Sequence, residues 1–398
     1  MSPITSGSLL PRPKPHVWVM VLLSLLLIIG LVPLFNHDFF VTPLPGGNLL
    51  FKILLLGVPL TALAGCYRID LGLTAQEKRT LFVLLAGLGA LLVDIHLVYI
   101  DNPSHLSCQL FSDIPNAEWQ RIMHDGIMRL RPDAIPHSYR FLPDSLVSLL
   151  TFLTGDFDYA KLIYRETCMF LLLFAIYYYG RLYCSHTVAI VTVMLYAIIY
   201  QISLREYAGQ LTDPLSHLSF VLSFIFIELD MFLMLLPTIL FGIMAKETIA
   251  VMALYSCLNK LFRRESPVPS LLLLAAGLAL IAAIRWYVIP DFKPENINSL
   301  GSPADIIKAN FFTYYIWWRH LLFTAGIFIP FVLMGWGQTD QRLKQLVMYL
   351  LPVLIVAHFC IGFIKETRNL VPVLIPMALI TANYLMAYVR PESHKESE

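Results

Sequence analysis

Apolar runs of about twenty residues, divided by short polar connections, fill this chain from end to end. They occupy 17–35, 49–66, 81–100, 159–180, 187–202, 211–227, 231–245, 248–261, 270–289, 321–336, 346–363 and 370–389. A bilayer core of ~30 Å is crossed by roughly 20 residues of helix. Inside hydrocarbon only a helix or a closed barrel satisfies its own backbone. The expected fold class is therefore an all-α integral membrane protein with about 12 transmembrane helices. Composition agrees: 58% of the 398 residues are hydrophobic and 14% are charged, against about a quarter charged in soluble domains. We expect one membrane domain over 1–398. Within it lie an N-terminal hairpin (1–80), a core (81–389), outer loops at 101–158 and 290–320, and a tail (390–398). A net charge of +1 gives no global attraction to nucleic acid or to acidic partners.

Orientation follows from the short connections. Arg12 and Lys14, then Arg68, Lys78 and Arg79, then Lys260, Arg263 and Arg264, then Arg342 and Lys344, and last Arg390 and Lys395 share one side of a twelve-crossing path. The positive-inside rule makes that side, with both termini, cytoplasmic. Arg121, Arg129, Arg131 and Arg140 fall opposite and become candidates for anion contacts. The run 17–35 is read as a first span and not as a cleaved signal peptide, because no small-residue cleavage site follows it. The six cysteines show no CxxC and no metal-ligand spacing, so they read as small core residues.

Two outer loops carry most of the polar sequence. In the first, Trp119, Ile122, Met123, Ile127 and Leu130 recur at helical spacing, as in an amphipathic helix lying in the interface. The apolar stretch 145–153 is too short to span, ends at Thr154-Gly155-Asp156, and is expected to dip in and return. The second loop ends in an aromatic cluster at 311–318 that suits an interfacial belt.

Ionisable groups in or beside spans are costly to keep in a membrane, so each is a functional candidate. Asp94 and Asp101 stand seven apart, nearly on one helical face, where a carboxylate can serve as general base on an acceptor hydroxyl. For Asp94 the simpler reading is a pairing with a neighbouring span; Asp101 either ends its helix in Asp-Asn-Pro or acts as the base. Asp113 is a rival base, or an N-cap. Arg140, with His137 and Tyr139 before it, offers a planar, permanently charged fork suited to a phosphodiester or diphosphate; the alternative is an arginine snorkelling to headgroups. Lys246-Glu247 joins two runs too short to span comfortably, and Glu366 and Arg368 precede the last run. Each set is either self-paired or turned to a ligand shared with Arg140. Asp213, before Pro214, reads first as an N-cap and second as a substrate-site carboxylate. No metal and no cofactor are expected.

These pieces together carry a resemblance. The acidic first loop with its interfacial helix, Tyr-Arg-Phe-Leu-Pro at 139–143, Lys-Glu-Thr at 246–248 and Glu-Thr-Arg-Asn-Leu-Val-Pro-Val-Leu-Ile-Pro at 366–376 resemble the bacterial GT-C membrane glycosyltransferases over about 81–389. The resemblance implies a GT-C-like fold in a bacterial inner (plasma) membrane. It implies inverting transfer of a sugar from a polyprenyl-phosphate-linked donor to a lipid, glycan or protein acceptor at the extracytoplasmic face. It assigns the base to Asp101, with Asp113 in reserve, and the donor phosphate to Arg140, Lys246 and Arg368. Two other classes fit the composition. A transporter or flippase would place ionisable groups near the midplane on broken helices, which the Lys246 junction resembles, although no internal repeat is evident. A polysaccharide polymerase or ligase would rely on outer-loop arginines.

Overall fold

The computed structural model describes residues 69–101, 116–129, 137–203, 211–288, 303–313, 322–361 and 367–389. The hairpin 17–66, Asp113, Glu366 and most of the second outer loop lie outside these residues. Among the described residues every regular element is helical. In chain order they include α1 (Ala75–Asp101), α2 (Asn116–Met128), a 3₁₀ turn (His137–Arg140), α3 (Phe141–Thr154), α4 (Phe157–Arg181), α5 (His186–Ser203), α6 (Thr212–Glu228) and α7 (Phe232–Ala245). A 3₁₀ turn (Glu247–Ala250), α8 (Val251–Phe262), α9 (Val268–Ala283), a π-helical turn (Ile284–Val288), α10 (Pro303–Lys308), α11 (Phe328–Gly335), α12 (Gln341–Ile361), a 3₁₀ turn (Thr367–Leu370) and α13 (Val371–Val389) follow. Four stretches, Ala75–Leu97, Val268–Trp286, Gln341–Cys360 and Arg368–Ala387, are long and apolar enough to cross a membrane. His186–Tyr200, Phe232–Ala245 and Thr324–Gln338 are apolar but shorter.

Local chemistry sets the boundaries. Thr74 and Glu77 form a reciprocal capping box ahead of α1: Glu77 N–H donates to Thr74 Oγ1 at 3.2 Å, and Thr74 N–H donates to Glu77 Oε2 at 2.8 Å. The α3 helix starts at Phe141, earlier than the expected Ser145, because Pro143 sits in the first turn, where its missing N–H costs nothing. It stops at Gly155, whose φ of +80° is the left-handed cap conformation open to glycine.

The chain forms two compact units. The first comprises Pro13–Ala175 and Tyr207–Ser302. In it α6 packs along α7, α7 along α3 and α9, and α8 along α9. The α6–α7 approach runs through Gly242, where an added Cβ would meet Ile249 Cγ2 at 2.6 Å and Ser219 Cβ at 3.0 Å. The second unit comprises, among the described residues, those of 176–206 and 303–398. There α13 is buried along Leu370–Ala382 and packs on α5 and α11, as a helix that is apolar all round must.

Two details depart from the sequence-based expectation. On α2, Trp119 and Ile127 are buried but Ile122 is 42% exposed, because the polar Gln120 and His124 share the inner face instead. On α1, Asp94 is exposed; the buried side of that helix carries Leu92, Val93 and His96.

Candidate functional site

The first unit gathers polar side chains from several separate stretches of chain. α7 ends at Ala245, and Lys246 takes an extended backbone (φ −163°, ψ 118°) before the 3₁₀ turn begins at Glu247. This interruption turns two consecutive charged side chains in different directions. Lys246 Nζ donates to Asp213 Oδ1 at 3.2 Å, with both side chains buried. Glu247 Oε1 accepts from Arg285, from Nε at 2.9 Å and from Nη2 at 2.7 Å. Lys246 and Glu247 are therefore not paired with each other. The Arg285 guanidinium lies 5.1 Å from the centre of the Tyr139 ring, a cation–π distance.

Asp213 does not cap α6. Leu211 holds the cap position, and Asp213 lies inside the first turn with its carboxylate on Lys246. The start of α6 is itself tied down, since Tyr164 O–H donates to the Leu211 carbonyl at 2.9 Å. Tyr139 is buried under the Phe141–Phe241–Ile284 cluster. Burial raises its phenol above the ordinary value, Arg285 opposes that, and Glu247 adds to it. The phenol is thus a donor at neutral pH.

Further charge stands around Asp213. His96 on α1 lies within electrostatic reach of Arg165, Asp213 and Lys161, and His96, Lys161, Arg165 and Asp213 are all buried. Lys161 and Arg165 are one turn apart on α4, so they share a face. At the N-terminal end of that helix Lys161 Nζ reaches Asp158 Oδ1 at 3.1 Å, and Arg121 bonds the same carboxylate. Burial alone would raise Asp158; the two cations outweigh it and hold the carboxyl below its usual range. Asp156 caps α4 through the Tyr159 N–H at 2.8 Å. The Asp156-Phe157-Asp158 sequence is an Asp-x-Asp whose carboxylates are both engaged in structure.

Tyr139, Arg285 and Glu247 thus form one contact chain and Lys246 and Asp213 a separate pair, the two meeting only at the consecutive residues 246 and 247. Arg140 is half-buried at the N-cap position of α3, next to Tyr139. His137 opens the 3₁₀ turn and Asp101 closes α1; their side chains lie outside the described residues, as do Asp113 and Glu366. Arg368 is buried ahead of α13 in the second unit. Sequence reasoning missed Arg285, His96, Lys161 and Arg165. The signal was present, since Arg285 is the one charge in the run 270–289 and Lys161 and Arg165 interrupt the run 159–180. Among the described residues no three His, Cys, Asp or Glu side chains come together as metal ligands. Comparison with known protein families, curated proteins and solved structures yields no match.

Proposed function

We propose that the chain is a membrane glycosyltransferase of GT-C type. In this reading it moves a sugar from a polyprenyl-phosphate-linked donor to a lipid, glycan or protein acceptor at the extracytoplasmic face of a bacterial inner membrane, on about 12 spans with both termini cytoplasmic. One observation carries it: the consecutive residues Lys246 and Glu247 hold two buried or half-buried ion pairs to distant parts of the chain, Lys246 to Asp213 and Glu247 to Arg285 with Tyr139 beneath it, among apolar helices. Charges cost several kcal/mol to bury even when paired, and they recur in membrane proteins where a ligand uses them. A departing polyprenyl phosphate is anionic and lipid-bound. Fixed cations in a partly dry site stabilise the charge that develops on it. Lys246 and Arg285 are the cations this reading uses, and Glu247 and Asp213 hold them in place. Asp101, at the end of α1, is the proposed base on the acceptor hydroxyl.

The test is turnover. Protein reconstituted in liposomes is given a panel of lipid-linked sugars, and release of polyprenyl phosphate is measured. The native chain should release it, and Arg285→Met should lower the rate at least ~100-fold while remaining monodisperse. Asp101→Asn should also abolish transfer with folding retained. Inertness of the folded native protein toward the whole panel would overturn the reading.

A transporter is the second reading, favoured by the discontinuity between α7 and α8 at Lys246. The same liposomes distinguish the two, since a transporter moves labelled lipid-linked sugar between leaflets without releasing polyprenyl phosphate.

A further inference from the structure

α3 carries four hydroxyl side chains beyond its first turn. Ser145, Thr151 and Thr154 each donate back to the carbonyl one turn earlier at 2.9 Å, the usual arrangement in a helix. Ser148 departs from it. Its hydroxyl lies 3.4 Å from His124 Nε2, and the other ring nitrogen, Nδ1, lies 2.9 Å from Asp144 Oδ1. A carboxylate only accepts, so Nδ1 carries the proton and Nε2 is left to accept from Ser148. The imidazole and the carboxylate are buried, at 6% and 4% exposure, while Ser148 is half-buried. One turn before His124, on the same face of α2, stands Gln120 at 5% exposure. Neither its amide nitrogen nor its oxygen finds a partner among the described residues.

A hydroxyl on a base, the base on an orienting carboxylate, and a spare buried N–H donor beside them are the parts of a nucleophilic acyl-transfer centre. We propose that Ser148, His124 and Asp144 form such a centre, with Gln120 as the oxyanion donor and the carboxylic ester of an apolar acyl chain as substrate. The apolar partner is suggested by the adjoining cluster of Val147, Leu150, Phe157, Tyr164 and Leu211. In the first step Ser148 Oγ bonds to the ester carbonyl carbon and gives its proton to His124 Nε2. The carbon–oxygen bond to the alcohol then breaks and the leaving alkoxide takes that proton. Water, deprotonated by the same imidazole, cleaves the serine ester, releasing the free acid and restoring Ser148. Asp144 touches no reacting atom; it is a positioning residue that fixes the tautomer. The centre uses none of the residues assigned to sugar transfer and stands or falls separately from it.

The test is labelling of the detergent-purified full chain with a long-chain alkyl fluorophosphonate, mapped by peptide mass spectrometry, with folding checked by gel filtration. The expected result is an adduct on Ser148. His124→Gln should slow it at least ~100-fold, Asp144→Asn should slow it and move the pH profile, and Asp144→Glu should restore part of the rate. Ser145→Ala should label as the native chain does. A folded native protein that takes no adduct at Ser148, or one labelled equally with and without the imidazole, would show the three side chains to be only a hydrogen-bonded staple between α2 and α3 and would overturn the proposal. Because the native protein alone yields that result, misfolding of a variant does not shield the idea.

Discussion

Lys246 and Asp213 are held 3.2 Å apart with both side chains buried, so their replacements should not be additive. Lys246→Met removes a charged partner from a buried carboxylate and should cost on the order of 3 kcal/mol. Asp213→Leu added to Lys246→Met should recover much of that, because it removes the stranded charge as well. Thermal unfolding of the single and double variants in detergent checks this. Tyr139 offers a separate measurement. Its folded phenol titrates above the ordinary tyrosine value of about 10, chiefly through burial. The folded value being the higher one, the phenol contributes stability below about pH 10, and that contribution is lost as pH rises through the folded value. A tyrosinate difference spectrum between the native chain and Tyr139→Phe should show this ring ionising at higher pH than a free tyrosine. Arg285→Met should delay its ionisation further, since the guanidinium favours the phenolate.

At the scale of elements, the junction from α7 to the 3₁₀ turn aims Lys246 and Glu247, and Gly242 lets that junction press against α6. Gly242→Ala should cost about 1–3 kcal/mol, and it should lower turnover as well, because the Lys246 N–H is bonded to the Gly242 carbonyl. Most of this level was legible in the sequence. The apolar runs 159–180, 187–202 and 211–227 fall within a few residues of α4, α5 and α6, since length and hydropathy decide where such helices start and stop. The Lys246-Glu247 break was also legible, because two charges between short apolar runs admit little else. What escaped was direction. The spacing on α2 suggested an inner face bearing Ile122, but the hydrogen bond from His124 to Asp144 turns that face toward Gln120 and His124. Likewise the cap reading of Asp213 was local, whereas its partner stands 33 residues on, a separation no local pattern reports.

Across the whole molecule, the described helices supply four stretches able to cross a bilayer, and the proposed topology adds the rest. It requires a reporter fused after Glu398 to read as cytoplasmic, and one inserted in the loop 290–320 to read as outside. The proposed chemistry draws on residues remote in sequence, Tyr139, Asp213, Lys246 and Arg285; the first three stand beside loops, whereas Arg285 is a single charge in an otherwise apolar run, where local pattern reads only a span. The central claim is that this polar set receives a lipid-linked phosphate. It is tested most directly by photo-crosslinking with a diazirine-bearing polyprenyl phosphate in liposomes, mapped by mass spectrometry. The account requires adducts on the turns 247–250 and 284–288, displaced by unlabelled polyprenyl phosphate and lost in Arg285→Met. Adducts that form elsewhere and spare both turns, or that excess lipid phosphate fails to displace, would contradict it.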